Sequence, residues 1–376
     1  MKIVIITETF LPATDGVVTR LTHAIDYMLD CGHEVVIYAP EMEDMPIQYK
    51  EALIIPFKAV WFPFYRYRPW AIPTTDIQKQ LAIDEPDIVH SVNPVGFAAA
   101  GIHYAVKMDI PLVASFHTNV PQYLSYYHLD VLSPVIWSYL RHWHNLAAAN
   151  MVTSQAMYDL LADNAIENLV ILPKGVDLDQ RDPKFYSEHM RERLTADPKR
   201  DKLLLFVGRV AAEKEIDSLL PWLEQRDDVN LAIVGDGPEK EALEEKFAHL
   251  PVTFTGFLHG EELSAAYASA DAFIFPSVSE TLGLVITEAM ASGLPVIAAE
   301  SAPTKEQIKH LENGLIYQQG DKESLDQCLA LLDQEEVVKN IVAKGQDYAQ
   351  QFSWENASRA MVAVYESALE KQKKVE

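Results

Sequence analysis

Short runs of consecutive apolar residues recur along this chain, each passing through a loop into a stretch of helical apolar spacing. Residues 3–6 form the first run. A turn-rich Pro12-Ala-Thr-Asp-Gly16 follows, then apolar positions at Leu21, Ile25, Met28 and Leu29, then Gly32 and a second run at 34–38. Strand–loop–helix–strand units of this kind build parallel sheets. Strands that are apolar throughout, rather than at alternate positions, require a sheet covered on both faces. Further strands are predicted at 88–90, Leu112–Phe116 and 151–153. The pattern then restarts, with a strand at Lys202–Val207, a loop over 208–215, a helix start over 216–223 and strands at 230–234, 252–255, Ala272–Phe275 and 295–298. Residues 177–201 are polar and read as a connector with one exposed helix. The expected architecture is α/β, with two Rossmann-like parallel-sheet domains joined near residue 175. A length of 376 residues suits two domains. Ligands in such sheets bind at the carboxyl ends of the strands, so the loops there are the place to look for chemistry.

Composition removes several classes of function. Lys and Arg number 31 against 55 Asp and Glu, a net charge of −24 that repels a phosphate backbone, so nucleic acid is not an expected partner. Cys31 and Cys328 are the two cysteines, too few and too isolated for a disulfide framework or a thiolate zinc site. No apolar run approaches the 18 residues that suggest a membrane span, and no signal peptide is legible. The expectation is a cytoplasmic protein, free or peripheral on the cytosolic face of a membrane.

One window runs against the acidic trend. Between residues 46 and 75, Lys50, Lys58, Arg66 and Arg68 oppose only Glu51. Phe57, Trp61, Phe62, Phe64, Tyr65, Tyr67 and Trp70 crowd the same window, interrupted by Pro56, Pro63, Pro69 and Pro73. A buried hydrophobic loop is one reading. The prolines and arginines argue instead against regular structure and complete burial, and for an interfacial anchor that meets anionic headgroups. Trp61, Phe64, Arg66, Tyr67 and Arg68 are the residues assigned to it.

Two stretches can carry chemistry together. In Glu280-Thr-Leu-Gly-Leu-Val-Ile-Thr-Glu288, the first glutamate falls in a loop and the second about a turn into a helix. Backbone N–H groups near Leu282, Gly283 and Leu284 would open that helix, where an anion is favoured. An ionised carboxylate on each side can accept hydrogen bonds from sugar hydroxyls. The same stretch also fits a capped helix with two solvated glutamates. The second, Gly208-Arg209-Val-Ala-Ala-Glu213-Lys214, directly follows a strand, so a guanidinium and an ammonium could converge on one diphosphate. That reading requires the loop to face the one holding Glu280.

The remaining signals are weaker. Gly235-Asp-Gly-Pro238 reads as a tight turn, while Asp15-Gly16 reads either as a turn or as bare backbone for a phosphate. His117, at a strand's carboxyl end, is either a structural histidine or a catalytic one. His142 and His144 sit two apart on a helix and cannot face one metal ion together. Asp177-Leu-Asp179 lies in the connector. No required metal and no cofactor are expected.

Taken in order, Asp15-Gly16-Val17, Phe116-His117-Thr118, Gly208-Arg209 with Lys214, Gly235-Asp-Gly-Pro238 and Glu280 to Glu288 with Ala289-Met-Ala-Ser-Gly-Leu-Pro-Val296 resemble the retaining GT-B glycosyltransferases whose marker is Glu-x7-Glu. The resemblance covers nearly the whole chain. It implies two Rossmann-like domains facing across a cleft: residues 1–175 with a returning helix at 355–372 for the acceptor, and residues 176–354 for a nucleotide-sugar donor. Arg209 and Lys214 would hold the donor diphosphate, Glu288 the ribose and Glu280 the sugar hydroxyls. Amides around Gly283 and Leu284 would contact sugar and phosphate, with Phe257 beside the base. Gly16 would approach the diphosphate and His117 the reaction centre. Hexosyl transfer would retain the anomeric configuration, without a covalent nucleophile.

Residues 115–123 and 279–284 are similar to the branch containing sulfoquinovosyl-diacylglycerol synthases and lipid mannosyl- or glucosyltransferases. That implies a lipid or glycolipid acceptor, and a UDP-sugar ahead of GDP-mannose. The sequence differs from the family pattern at Glu215, where glycine is usual, at Leu282, where phenylalanine is common, and at Ser301-Ala-Pro-Thr-Lys-Glu306. A sugar-nucleotide epimerase of the same fold would need further acid–base carboxylates and no acceptor. A non-catalytic nucleotide-sugar-binding protein would keep Arg209 and Lys214 without turnover.

Overall fold

The computed structural model describes residues 1–62, 65–126 and 130–373, without the side chains of 62–68, 124, 125 and 130. The chain divides into two compact units, one formed by Met1–Gly175 with Trp354–Glu376 and the other by Val176–Ser353.

In the first unit the strands are β1 (Lys2–Thr7), β2 (Glu34–Pro40), β3 (Gln48–Tyr49), β4 (Ala52–Phe57), β5 (Ala59–Phe62), β6 (Tyr65–Ala71), β7 (Ile88–Val92), β8 (Leu112–Phe116), β9 (Asn150–Val152) and β10 (Leu169–Ile171). Eight of them make one sheet in the order β10-β9-β8-β7-β1-β2-β4-β3, parallel except where β3 meets β4. All five residues of β7 and all five of β8 are buried, so neither strand alternates between an inner and an outer face, and the polar His90, Ser91 and Ser115 are enclosed with the rest. One face packs Ile3, Ile5 and Val113 against Leu21, Ile25 and Met28 of the helix Gly16–Asp30 and against Met361 and Tyr365 of the helix Trp354–Lys373. The other face packs Val4, Ile6 and Tyr38 against Phe97, Ile102 and Leu81.

The aromatic window is more regular than its prolines suggested. β5 and β6 pair antiparallel, with Ala59 opposite Ala71 and Val60 opposite Trp70. Phe57 is buried at the end of β4, its ring 5.1 Å from Tyr38 and 4.9 Å from Phe97. Pro56 is tolerated because β4 lies next to the sheet's edge, paired outward only with the two residues of β3. Trp61, on β5, is 61% exposed. Phe64 lies outside the described residues, and so do the side chains of Arg66, Tyr67 and Arg68.

Trp354, counted above with the second domain, belongs to the first unit. Its indole stacks on His23 with centroids 4.5 Å apart, and a Cβ on Gly175 would fall 2.1 Å from its ring. The chain therefore leaves the first unit and returns to it under the same side chain.

The second unit holds β11 (Lys202–Val207), β12 (Val229–Val234), β13 (Val252–Gly256), β14 (Ala272–Phe275), β15 (Val296–Ala299) and β16 (Leu315–Tyr317). They form an all-parallel sheet ordered β13-β12-β11-β14-β15-β16. Strand order reverses between β11 and β14, the place where open α/β sheets bind ligands. The helix Leu284–Ala291 after β14 is apolar on most of its surface and buries Ile286, Thr287, Ala289, Met290 and Ala291. The connector carries the helix Glu188–Leu194, which is less exposed than expected because Met190 and Leu194 reach this unit's core. Asp177 accepts hydrogen bonds from the N–H groups of Asp179 and Gln180 and shapes a turn there.

Candidate active site

The loops after β11 and β14 meet at the strand-order reversal. Gly208 continues the ladder of β11 by donating its N–H to the Val234 carbonyl. Gly235 has φ of +138°, and a Cβ there would sit 1.9 Å from the Gly208 carbonyl oxygen. A Cβ on Gly237 would sit 2.2 Å from that of Val210. The Gly235-Asp-Gly-Pro238 turn is thus a close backbone approach that seats the Arg209 loop.

Arg209 forms an ion pair with Glu213, which is only 2% exposed. The Glu213 carbonyl accepts hydrogen bonds from the hydroxyls of Ser277 and Ser279, both at 2.9 Å. Glu215 lies in the left-handed region at φ +52°, and its carboxylate accepts the Val278 N–H at 3.0 Å. A residue that replaces the family's usual glycine therefore keeps the glycine-like conformation and adds a tie between the loops. Lys214 completes the join by forming an ion pair with Glu280. The condition for the diphosphate reading, that the two loops face one another, is met.

Glu288 projects from the helix Leu284–Ala291 and is held from two sides. The Tyr267 hydroxyl donates to its Oε2 at 2.9 Å, and Arg181 Nη2 lies 3.6 Å from its Oε1. The Arg181 guanidinium sits 5.2 Å from the centre of the Tyr267 ring. Burial, then the nearby Glu288 charge, keeps the phenol protonated and hence a donor. Gly283 precedes the helix at φ +73° and, as glycine, brings no side chain of its own to cap it. Leu282 is buried and its carbonyl accepts from the Gln307 amide, whose oxygen accepts the Thr287 hydroxyl at 3.0 Å. Phe257 follows the carboxyl end of β13, 42% exposed and stacked on His259.

In the first unit, exposed Gly16 opens the helix Gly16–Asp30, but the Asp15 carboxylate accepts the N–H groups of Val17 and Val18 at 2.9 and 3.0 Å. Those two amides already have an anionic partner. His117 is half-buried at the carboxyl end of β8. Its backbone N–H donates to Asn93 Oδ1 at 2.6 Å, and its Nε2 lies 2.9 Å from Ser115 Oγ. Burial, with Arg20 and His90 nearby, pushes its pKa well below the usual histidine value. His144 is a structural histidine, buried with Nδ1 2.7 Å from Asn150 Oδ1.

The structure thus brings Arg209, Lys214 and Glu280 together on two adjoining loops, with Gly283, Leu284 and Glu288 on the element that follows. Glu213, Tyr267, Arg181 and Gln307 were not singled out in the sequence. Glu213 sat inside a motif already under discussion, where its intervening spacing gave a usable signal. Arg181 lies in a connector and gave none.

Comparison with known proteins fits this layout. A family model described as Glycosyltransferase Family 4 matches residues 14–180, and one described as Glycosyl transferases group 1 matches residues 190–348. The chain is 34% identical to sulfoquinovosyl transferase SQD2 of Arabidopsis thaliana, covering 91% of this chain and 69% of that protein. It is 32% identical to a GDP-mannose-dependent alpha-mannosyltransferase of Mycobacterium tuberculosis, covering 86% and 85%. It is 30% identical to the alpha-monoglucosyldiacylglycerol synthase of Streptococcus pneumoniae, covering 79% and 71%. Among solved structures, HepE of Anabaena in complex with UDP-glucose superposes with a TM-score of 0.76 over 98% of this chain and 100% of that one, at 19% identity, a likeness of fold.

Proposed function

The chain belongs to the family 4 glycosyltransferases and has a GT-B fold, and on that premise we propose that it moves a hexosyl group from a nucleotide-diphosphate sugar to a hydroxyl of a lipid or glycolipid, with retention at the anomeric carbon. The observation that carries the donor half is the Lys214–Glu280 pair joining two loops at the strand-order reversal, with Arg209 on the Lys214 loop. A guanidinium and an ammonium on one loop suit a diphosphate, and they would stabilise the charge that builds on the departing nucleotide. When phosphate takes over the Lys214 ammonium, the Glu280 carboxylate is released to accept sugar hydroxyls. Glu288, oriented by Tyr267 and Arg181, accepts the ribose hydroxyls. Amides at Gly283 and Leu284 supply further donors, and Phe257 flanks the base. In the first unit, Gly16 is assigned backbone contact with the diphosphate and His117 a hydrogen bond to the sugar. The attacking hydroxyl approaches the face from which the nucleotide leaves, and a phosphate oxygen takes its proton. This scheme uses no metal and no cofactor.

The lipid acceptor is supported by the relative that carries glucosyldiacylglycerol in its name and by the exposed Trp61. Among the described residues no helix is long and apolar enough to cross a membrane, so the membrane contact proposed is peripheral and made through Trp61, Phe64, Arg66, Tyr67 and Arg68. The branch resemblance ranks a UDP-sugar ahead of GDP-mannose, the donor named for the mycobacterial relative.

A thermal-shift titration with UDP, GDP, ADP, UDP-glucose and GDP-mannose tests the donor. A ligand that binds only the folded chain raises the melting temperature by mass action. Stabilisation by uridine nucleotides alone is expected, followed by transfer to diacylglycerol or a monoglycosyl lipid in vesicles. Selective stabilisation by GDP reassigns the donor, and no shift with any nucleotide at millimolar concentration overturns the reading.

A further inference from the structure

A line of four hydrogen-bonding side chains crosses the core of the first unit and ends on His117. The Tyr365 hydroxyl, from the helix Trp354–Lys373, lies 2.8 Å from His90 Nδ1. His90 Nε2, on β7, lies 2.7 Å from Ser115 Oγ on β8, and that oxygen lies 2.9 Å from His117 Nε2. Tyr365, His90 and Ser115 are each 0% exposed. No water is needed to connect them.

The chemistry of the end member fixes the direction of every bond in the line. Among the described residues the Tyr365 hydroxyl has one partner, His90 Nδ1. A phenol that accepted a proton there would leave its own O–H buried and unpaired, which interiors avoid. Tyr365 therefore donates, and His90 Nδ1 accepts. Burial pushes the His90 pKa down to about 3, so its ring is neutral and carries its proton on Nε2. That N–H donates to Ser115 Oγ. Among the described residues Ser115 Oγ has these two partners alone, so its one proton must go to His117 Nε2 or be left buried and unpaired, and it donates there. A neutral His117 then carries its proton on Nδ1.

We propose that Tyr365, His90 and Ser115 are positioning residues that hold His117 as the Nδ1–H tautomer, so that the ring offers a hydrogen-bond donor to an oxygen of the substrate. The tautomer of a histidine is set by the bond its other nitrogen makes, and here that bond is specified by a residue on the returning helix. The assignment of His117 to the substrate rests on the function proposed above, but the tautomer does not.

The test uses the full chain labelled with nitrogen-15 in its 12 histidines. Long-range proton–nitrogen correlations identify which ring nitrogen of His117 is protonated, with the signals assigned by their loss in His117→Gln. The wild type is expected to show the Nδ1–H pattern. Tyr365→Phe and Ser115→Ala are both expected to give a mixture of tautomers, and to lower kcat about tenfold while the donor KM stays within about twofold. Ser115→Ala, a small change within a strand, keeps the test open if Tyr365→Phe does not fold. An Nε2–H pattern in the wild type, or an unchanged Nδ1–H pattern in both variants, overturns the proposal. Altered tautomers with unchanged kcat overturn its link to turnover. Wild-type transfer by His117→Ala would instead reject the role given to His117 under the proposed function, leaving the tautomer arm to stand by itself.

Discussion

Lys214 and Glu280 form an ion pair that spans the loops following β11 and β14, so the ammonium proposed to meet the donor diphosphate already has a carboxylate against it. The two side chains are only 16% and 12% exposed. Their pairing neutralises a cation that would otherwise be held in a poorly solvated place, and it can be exchanged for phosphate when a donor arrives.

Replacing either partner should separate binding from chemistry. Lys214→Ala is expected to lower kcat/KM at least 10²–10³-fold, roughly the effect of removing one group that stabilises developing negative charge. Glu280→Ala is expected to abolish transfer while leaving nucleotide diphosphate binding within about tenfold. Steady-state kinetics beside a nucleotide titration separate the two. Full activity in either purified variant would show that the donor loops have been misassigned.

Glu213 should matter for stability as well as for Arg209. Its carboxylate is buried against the guanidinium, and its removal takes an anionic partner away from a partly desolvated cation. Because Arg209 retains 24% of its side-chain exposure, a loss of about 2–3 kcal/mol is expected for Glu213→Ala, below the cost of breaking a fully buried pair. Urea unfolding of the intact chain measures it. A midpoint equal to wild type would mean that Arg209 finds another anion.

Tyr267→Phe removes a single hydrogen bond to Glu288 and keeps the packed ring. A neutral donor to a charged acceptor contributes about 1.5–3 kcal/mol, so nucleoside diphosphate affinity should fall roughly tenfold or more if Glu288 holds the ribose. The corresponding 2′-deoxy nucleotide should lose less on the same substitution. Equal losses for both nucleotides would take the ribose away from Glu288.

Acid should weaken the first unit in a defined window. Burial pushes His90 down to about 3 and His144 down to about 4. An unfolded chain takes up these protons as pH falls through about 6.5, whereas the folded chain does not. The contribution to stability is therefore complete above pH 6.5 and is lost as pH falls toward 4. Each such group gives a slope of about 1.4 kcal/mol per pH unit over that range, and His117, also held below its usual value by burial, adds in the same direction. Denaturant unfolding at pH 7.5, 6.0 and 5.5 should show it, and a flat profile would contradict neutral buried imidazoles.

The sheets were legible because their strands are apolar and uninterrupted. Lys202–Val207, Leu112–Phe116 and Ala272–Phe275 have the bounds read from the sequence. The strand expected to begin at Pro295 begins at Val296. The strands β4, β5 and β6 were missed, since Pro56, Pro63 and Pro69 read as breaks, although Pro56 is accommodated beside the sheet edge and Pro69 in a two-stranded pair. In the site, glutamates and cations at strand ends could be picked out by their spacing. Tyr267 could not, because its bond to Glu288 joins residues 21 apart through the tertiary fold, and Tyr267 itself lies in no motif. The line from Tyr365 to His117 was beyond sequence reading for the same reason, as its first link spans 275 positions.

That the first unit closes under Trp354 and the helix after it has a bearing on how the protein is made. During synthesis, residues 1–175 leave the ribosome before the segment that covers Ile5, Leu21 and Ile25 exists. The second unit, continuous in sequence, can mature while its predecessor still waits with an apolar face uncovered. The half that begins the chain is therefore the half that finishes last, and a truncation within the final helix would injure the domain farthest from it in sequence.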